Sequence, residues 1–208
     1  MVYATLRSSI SNGEIRPGQR ISINDAAGQL GVSRLPVIHA LRRLASEGFV
    51  ILRPHREVVA ANPSTEQLRG RLLIMSALCG LAAREALQRI DAELIQRIRT
   101  AQAEFVAAQK DPLDLERSME KDTAFHFLLY RAAGIPQLDN MLETLWDQGR
   151  IYRTLYFKER KFIPARIREH ERILRAIQTR NADELTEAVS AHHLGTLARV
   201  TNVLEHRR

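Results

Sequence analysis

Asp122 and His126 stand four residues apart in a stretch patterned for helix, so a carboxylate and an imidazole share one face. His170 opens the periodic run Glu169-His170-Glu171-Arg172-Ile173-Leu174-Arg175-Ala176-Ile177, and the adjacent His192 and His193 lie in the last helical stretch. One carboxylate and three imidazoles on facing helices form a donor set for a divalent transition metal such as Zn, Ni or Mn. Neutral imidazole is the ligand, so affinity would fall as pH drops through about 6.5. Spacing alone leaves open the plainer reading of solvated or hydrogen-bonded histidines.

The elements that must position these groups are helices. The chain has 208 residues, enough for two domains, and 45% of them are hydrophobic, which excludes a disordered chain. Aromatics are only 5%, and the richness in Ala, Leu, Arg and Glu favours helix over a large sheet. From Thr65 onward the pattern is helical throughout, with helices expected over 65–89, 91–109, 113–133, 136–157, 163–179 and 181–205. Breaks fall at Asp91, Asp111-Pro112, Gly134-Ile135-Pro136, Ile163-Pro164 and Asn181. The fold expected for 65–205 is an antiparallel α-helical bundle, with Met75, Leu78, Phe125, Leu129, Leu142 and Trp146 read as core.

Residues 1–62 read as a separate unit, closed by the Asn62-Pro63-Ser64 break. A first helix over 4–12 ends at Gly13, and Ser22-Ile23-Asn24-Asp25 has the form of a capping box. That second helix stops at Gly31, Ser33 stands where it can cap a third, and Pro36 falls in the third's first turn. Val37, Leu41 and Leu44 form its apolar stripe. Phe49-Val50-Ile51-Leu52 and Val58-Val59-Ala60 then make a small β-hairpin. Two helices on a tight turn followed by a hairpin describe a winged helix-turn-helix, so the chain is mainly α with one small hairpin.

The net charge is +7, and eight arginines face four acids within the first 62 residues. A basic balance suits a phosphate-bearing partner, although a basic helix is also often just a solvated face. Arg34, at the start of the third helix, suits guanine O6 and N7, while Leu35 and Ile38 suit thymine methyls. Arg42, Arg43, Arg53 and Arg56 suit phosphates.

The string Gly13-Glu14-Ile15-Arg16-Pro17-Gly18-Gln19-Arg20-Ile21, then Leu30-Gly31-Val32-Ser33-Arg34, Ala40-Leu41-Arg42-Arg43-Leu44 and Glu47-Gly48-Phe49-Val50, resembles the GntR family of bacterial regulators over about residues 3–60. The resemblance implies a homodimer on a palindromic double-stranded DNA operator. The chain departs from that pattern at Leu35, Ile38, His39 and the wing tip, where the family usually has Thr, Arg, Glu and Gly. Asp122-Thr123-Ala124-Phe125-His126, the His170 run and Ala191-His192-His193-Leu194 resemble the three motifs of the FCD ligand-binding domain of the FadR subfamily, in its VanR-like six-helix branch. That likeness implies one metal on Asp122, His126, His170 and His192. His192 is preferred to His193 because it keeps the family's 22-residue separation from His170. It also implies a small carboxylic-acid effector beside the metal, with Arg71 as the basic residue best placed and Arg150 and Arg153 as further anchors.

The expected function is therefore a DNA-binding transcription regulator, a repressor by family habit, whose operator affinity follows a small acid. An enzyme is the competing class, since an Asp/His₃ metal site with an open position can be catalytic. No nucleophile, separate general acid or Gly-rich phosphate loop accompanies the set, and the chain is read as no enzyme. An architectural DNA binder without a ligand is the third class. Cys79 is a lone cysteine, and no signal pattern or membrane-length apolar run is present, so the protein is expected to be soluble and cytoplasmic.

Overall fold

The computed structural model describes residues 1–54, 57–110 and 113–205, so His55, Arg56, Asp111, Pro112, His206, Arg207 and Arg208 lie outside the described residues. The chain separates into two compact units. The first comprises Met1–Ser64 together with Thr144–Tyr152; the second comprises Thr65–Glu143 and the described residues from Arg153 onward.

In the first unit α1 (Val2–Asn12), α2 (Ile23–Leu30) and α3 (Arg34–Ser46) precede strands β1 (Val50–Arg53) and β2 (Glu57–Ala60). Local signals set most of these boundaries. Gly13 and Gly31 close α1 and α2 with left-handed backbones, φ 82° and 63°, which only glycine adopts freely. The Ser22 hydroxyl accepts from Asp25 N–H at 3.2 Å, as a capping box requires. Ser33 sits at the N-cap of α3 in extended backbone, but its hydroxyl makes no cap bond. The strands pair antiparallel with Ile51 opposite Val59 and Leu52 opposite Val58, and Arg20 adds an isolated bridge to Val59. Val37, Leu41 and Leu44 are buried with Phe49, Val58 and Val59. Burying such side chains stabilises by roughly 1.5–3 kcal/mol each.

Thr144–Tyr152 joins this unit although it lies far along the chain. Gly48, at φ 78°, passes against the Gln148 carbonyl so closely that a Cβ would collide with it. Tyr152 Oη donates to the Ser64 carbonyl at 3.3 Å.

The second unit is helical: α4 (Thr65–Ala86), α5 (Ala92–Ala107), α6 (Leu115–Arg131), α9 (Ile163–Gln178) and α10 (Ala182–Glu205), with parts of α7 (Pro136–Gln148) and α8 (Arg150–Phe157). A single helix over 136–157 is not what forms. It breaks at Gly149, the one glycine in the run, whose N–H bonds back to the Leu145 and Trp146 carbonyls. Asp91 and Asp114 cap α5 and α6 by accepting from Leu94 N–H at 2.7 Å and Arg117 N–H at 3.0 Å. Helix α4 packs on α10 and α6, α5 packs on α6 and α9, and α9 packs on α10. Gly80 lets α4 approach α10, since a Cβ there would already lie 3.2 Å from Thr186 Cγ2.

Candidate functional site

The buried face of α6 carries Ser118, Met119, Asp122, Phe125, His126, Leu129 and Tyr130, a repeat of three and four residues that aims Asp122 and His126 inward. Helix α9 buries His170, and α10 buries both His192 and His193. The ring centroids of His126, His170 and His192 form a near-equilateral triangle, with sides of 4.9, 4.8 and 5.1 Å. Each offers a ring nitrogen within 4.8 Å of the others. Asp122 Oδ1 lies 3.5 Å from His170 Nε2 and 3.9 Å from His126 Nε2.

The opposite edge of each ring is tied down. His170 Nδ1 lies 2.8 Å from Gln102 Oε1, an acceptor, so the proton sits on Nδ1 and the Nε2 lone pair faces inward. His192 Nδ1 lies 3.0 Å from Glu169 Oε2, which fixes the same tautomer. Glu169 is itself gripped at both oxygens by Arg199. Burial pushes the Glu169 carboxyl up, but the bonds from His192 and Arg199 outweigh it and hold it below the usual carboxylate range. His126 Nδ1 lies 3.2 Å from Tyr130 Oη, which in turn lies 3.1 Å from His193 Nε2. The chain is consistent when His126 donates to Tyr130 and Tyr130 donates to His193. Thus His193 faces Tyr130 while its neighbour His192 faces the triangle.

Burial, reinforced by the charge of His192, holds His126, His170 and His193 well below the ordinary histidine value, so they stand as neutral imidazoles. Burial raises the Asp122 carboxyl, against the pull of His192, Arg153 and Arg166. Burial likewise pushes the Cys79 thiol, beside Tyr130, up to about 12, which makes it a poor nucleophile.

These residues fit a divalent transition metal on two observations. His170 Nε2 is buried and makes no hydrogen bond among the described residues, an uncompensated acceptor that an ion would satisfy. The donors are three imidazoles beside one carboxylate, with hydrogen-bonded outer edges of the kind that orient metal ligands. Gln102, Tyr130, Glu169 and Arg199 were not legible as parts of this centre, because each stands alone in sequence and gains its role only from a ring on another turn or helix.

Arg166, one turn before His170 on α9, is another residue that spacing does not single out. Its side chain is fully buried, and Tyr156 and Phe157 flank its guanidinium at 4.8 and 3.9 Å from their ring centroids. Of the expected anchors, Arg71 is half-buried on α4. Arg153 is half-buried on α8, and its charge acts on Asp122, His126 and His193. Arg150, on α8, belongs to the first unit, with its Nε 3.3 Å from Glu47 Oε2, a carboxylate that Arg43 also bonds.

On the first unit Arg34, Leu35 and Arg42 are exposed along α3, and Ile38 is half-buried. Leu35 is 60% exposed, more than any other large apolar side chain except Met1 among the described residues. Arg43 bonds Glu47 at 3.1 Å and stacks on Tyr3 at 4.0 Å, so its guanidinium is partly committed within the unit. Arg53 lies 3.6 Å from Glu57 across the hairpin. Arg56 falls outside the described residues. No helix among the described residues is long and apolar enough to cross a membrane.

Residues 72–195 match the FCD domain family, and residues 1–59 match the family of bacterial regulatory proteins called gntR. The chain is 28% identical to the HTH-type transcriptional repressor RspR of Escherichia coli (strain K12), over 92% of this chain and 83% of that protein. It is 28% identical to the Nta operon transcriptional regulator of Aminobacter aminovorans, over 85% of this chain and 82% of that one. Among solved structures, that of E. coli McbR/YncC superposes with a TM-score of 0.74 at 21% identity, covering 97% of this chain and 95% of the other, a likeness of fold.

Proposed function

The chain belongs to the GntR family of bacterial transcription regulators that carry an FCD domain, and from that premise we propose that it is a metal-dependent, acid-sensing repressor. The observation that carries the sensing half is the triangle of imidazoles whose outer nitrogens are held by Gln102, Tyr130 and Glu169. Asp122, His126, His170 and His192 would hold a Zn, Ni or Mn ion. When bound, the ion supplies a Lewis-acidic position at which a carboxylate can bind. Arg71 and Arg153 supply further positive charge to a carboxylic-acid metabolite.

The DNA half rests on α3. Arg34 at its N-terminal end meets base edges, Leu35 and Ile38 meet thymine methyls, and Arg42, with Arg53 and Arg56 of the hairpin, meets phosphates. A homodimer would set two such helices about one DNA turn, roughly 34 Å, apart on a palindrome. Repression is supported by the likeness to RspR, which is named a repressor. The acid lowers operator affinity, and by linkage the operator lowers acid affinity by the same factor.

Metal analysis of purified protein, paired with gel shifts against sugar, hydroxy and aromatic acids, tests both halves. One ion per chain is expected in the wild type and little in the Asp122→Ala/His170→Ala double variant. At least one acid should release DNA only from metal-loaded protein. Equal metal content in the two proteins would sink the sensing half, and no binding to any duplex at low salt would sink the other.

A further inference from the structure

We propose that Arg166 anchors the acid and that the acid is a small dicarboxylate, bound by one carboxylate at the metal centre and by the other on this guanidinium. The inference rests on the metal-and-acid reading above and makes it narrower.

Arg166 and His170 are four residues apart on α9, so both project from the same buried face, one turn apart. The Arg166 side chain is 0% exposed. Neither its Nε nor its Nη1 makes a hydrogen bond among the described residues, and Nη2 reaches Gln109 Oε1 only at 3.5 Å. Gln109 cannot turn further toward it without losing its own bonds to Ser118 Oγ at 2.6 Å and the Phe105 carbonyl at 3.0 Å. Stacking on Tyr156 and Phe157 offsets part of the cost of burying the charge but satisfies none of the N–H donors.

The nearby carboxylates are committed elsewhere. Glu169 bonds Arg199 and His192. Asp122 faces His126 and His170 and acts on Arg166 only through its field. A divalent ion among the histidines would bind Asp122 more strongly still. The guanidinium then has no carboxylate bonded to it among the described residues, only the fields of Asp122 and Glu169, and a buried charge without a direct partner is costly. Charge at the buried groups sets the class of ligand. A divalent ion, the Asp122 carboxylate and the Arg166 guanidinium, the last two nearly or wholly buried, leave a formal excess of two positive charges, to which the half-buried Arg153 adds only through its field. A dicarboxylate cancels it, whereas a monocarboxylate leaves half of it buried. The flat guanidinium also suits a carboxylate geometrically, through paired N–H donors.

Calorimetric titration of full-length protein, with and without added zinc, tests this with malonate, succinate and glutarate against acetate, propionate and butyrate. In zinc-loaded wild type the best diacid should bind about tenfold or more tighter than any monoacid, the yield of one charge-assisted bond. Arg166→Gln should keep its zinc and lose most of that preference, and Arg166→Lys should keep part of it. Should Arg166→Gln fail to fold, the wild-type comparison and Arg166→Lys still decide. Zinc binding without any preference for diacids, or a preference that Arg166→Gln retains in full, overturns the assignment and leaves the metal reading standing. Wild type that binds no zinc, or binds zinc but no acid of either kind, overturns that reading and this inference with it.

Discussion

The two functional regions treat charge in opposite ways. On α3 the charged groups proposed to meet DNA, Arg34 and Arg42, are exposed, so water screens them and they contribute little to the fold. In the bundle Asp122, His126, His170 and Arg166 are nearly or wholly buried, so the same groups that would bind a ligand also load the fold with desolvated polar atoms. The contrast teaches that one surface can change its specificity without changing stability, whereas in the other centre binding and stability are linked. Each prediction below breaks or sharpens that contrast.

The largest effect is acid destabilisation of the metal-free bundle. Burial holds His126, His170 and His193 well below the ordinary histidine value of about 6.5. Above pH 6.5 these histidines are neutral in both states and the stability they carry is fully present. As pH falls below 6.5 the unfolded chain takes up protons that the folded bundle refuses, so stability is lost down to the folded pKa values. Each histidine contributes up to about 1.4 kcal/mol per pH unit in that window. Asp122, raised by burial, has the opposite sign, because its folded form takes a proton more readily than its unfolded form, but it is one group against three. Denaturant melts of metal-free protein at pH 7, 6 and 5 should show the midpoint falling, and a flat profile would remove the neutral-imidazole account.

The outer hydrogen bonds come next. Gln102→Leu frees the outer edge of His170 and Tyr130→Phe those of His126 and His193, neither touching the inner face, and each should weaken zinc by roughly 10–100-fold. Competition against a chromogenic chelator reads that change. Gel shifts in excess zinc should show operator binding intact, because α3 is untouched. Unchanged zinc affinity in both variants would make these bonds structural ornaments of the bundle.

The smallest effects on stability belong to the head. Arg34→Ala should relax discrimination at one base position by about 1–3 kcal/mol, whereas Arg42→Ala should weaken all duplexes alike and lower the salt slope by about 1. Thermal melts of both should overlay the wild type. If Arg34→Ala weakens every sequence equally, Arg34 reads phosphate and not bases.

The head was legible to the extent that its signals are local. Gly13 and Gly31 end helices because each must turn left-handed, Ser22 caps the residue three places on, and the Val37, Leu41 and Leu44 stripe follows from helical spacing. The bundle was legible as helices, with one error where Gly149 divides the run expected over 136–157. Charge commitments were not legible. Glu47 takes Tyr3 at 2.5 Å as well as Arg43 and Arg150, and Arg150 comes from more than a hundred residues away.

The amino-acid sequence by itself determined where helices start and stop, which face of each is apolar, and which residue types the chain holds for metal and phosphate chemistry. Those properties depend on neighbours within one or two turns. Only the tertiary structure decided that His192 faces His126 and His170 while His193 faces Tyr130, that Gln102 and Glu169 fix two ring tautomers, and that Arg166 is buried without a carboxylate of its own. Hydrogen bonds and desolvation act over a few ångströms in space, and helix packing alone brings those atoms within that range.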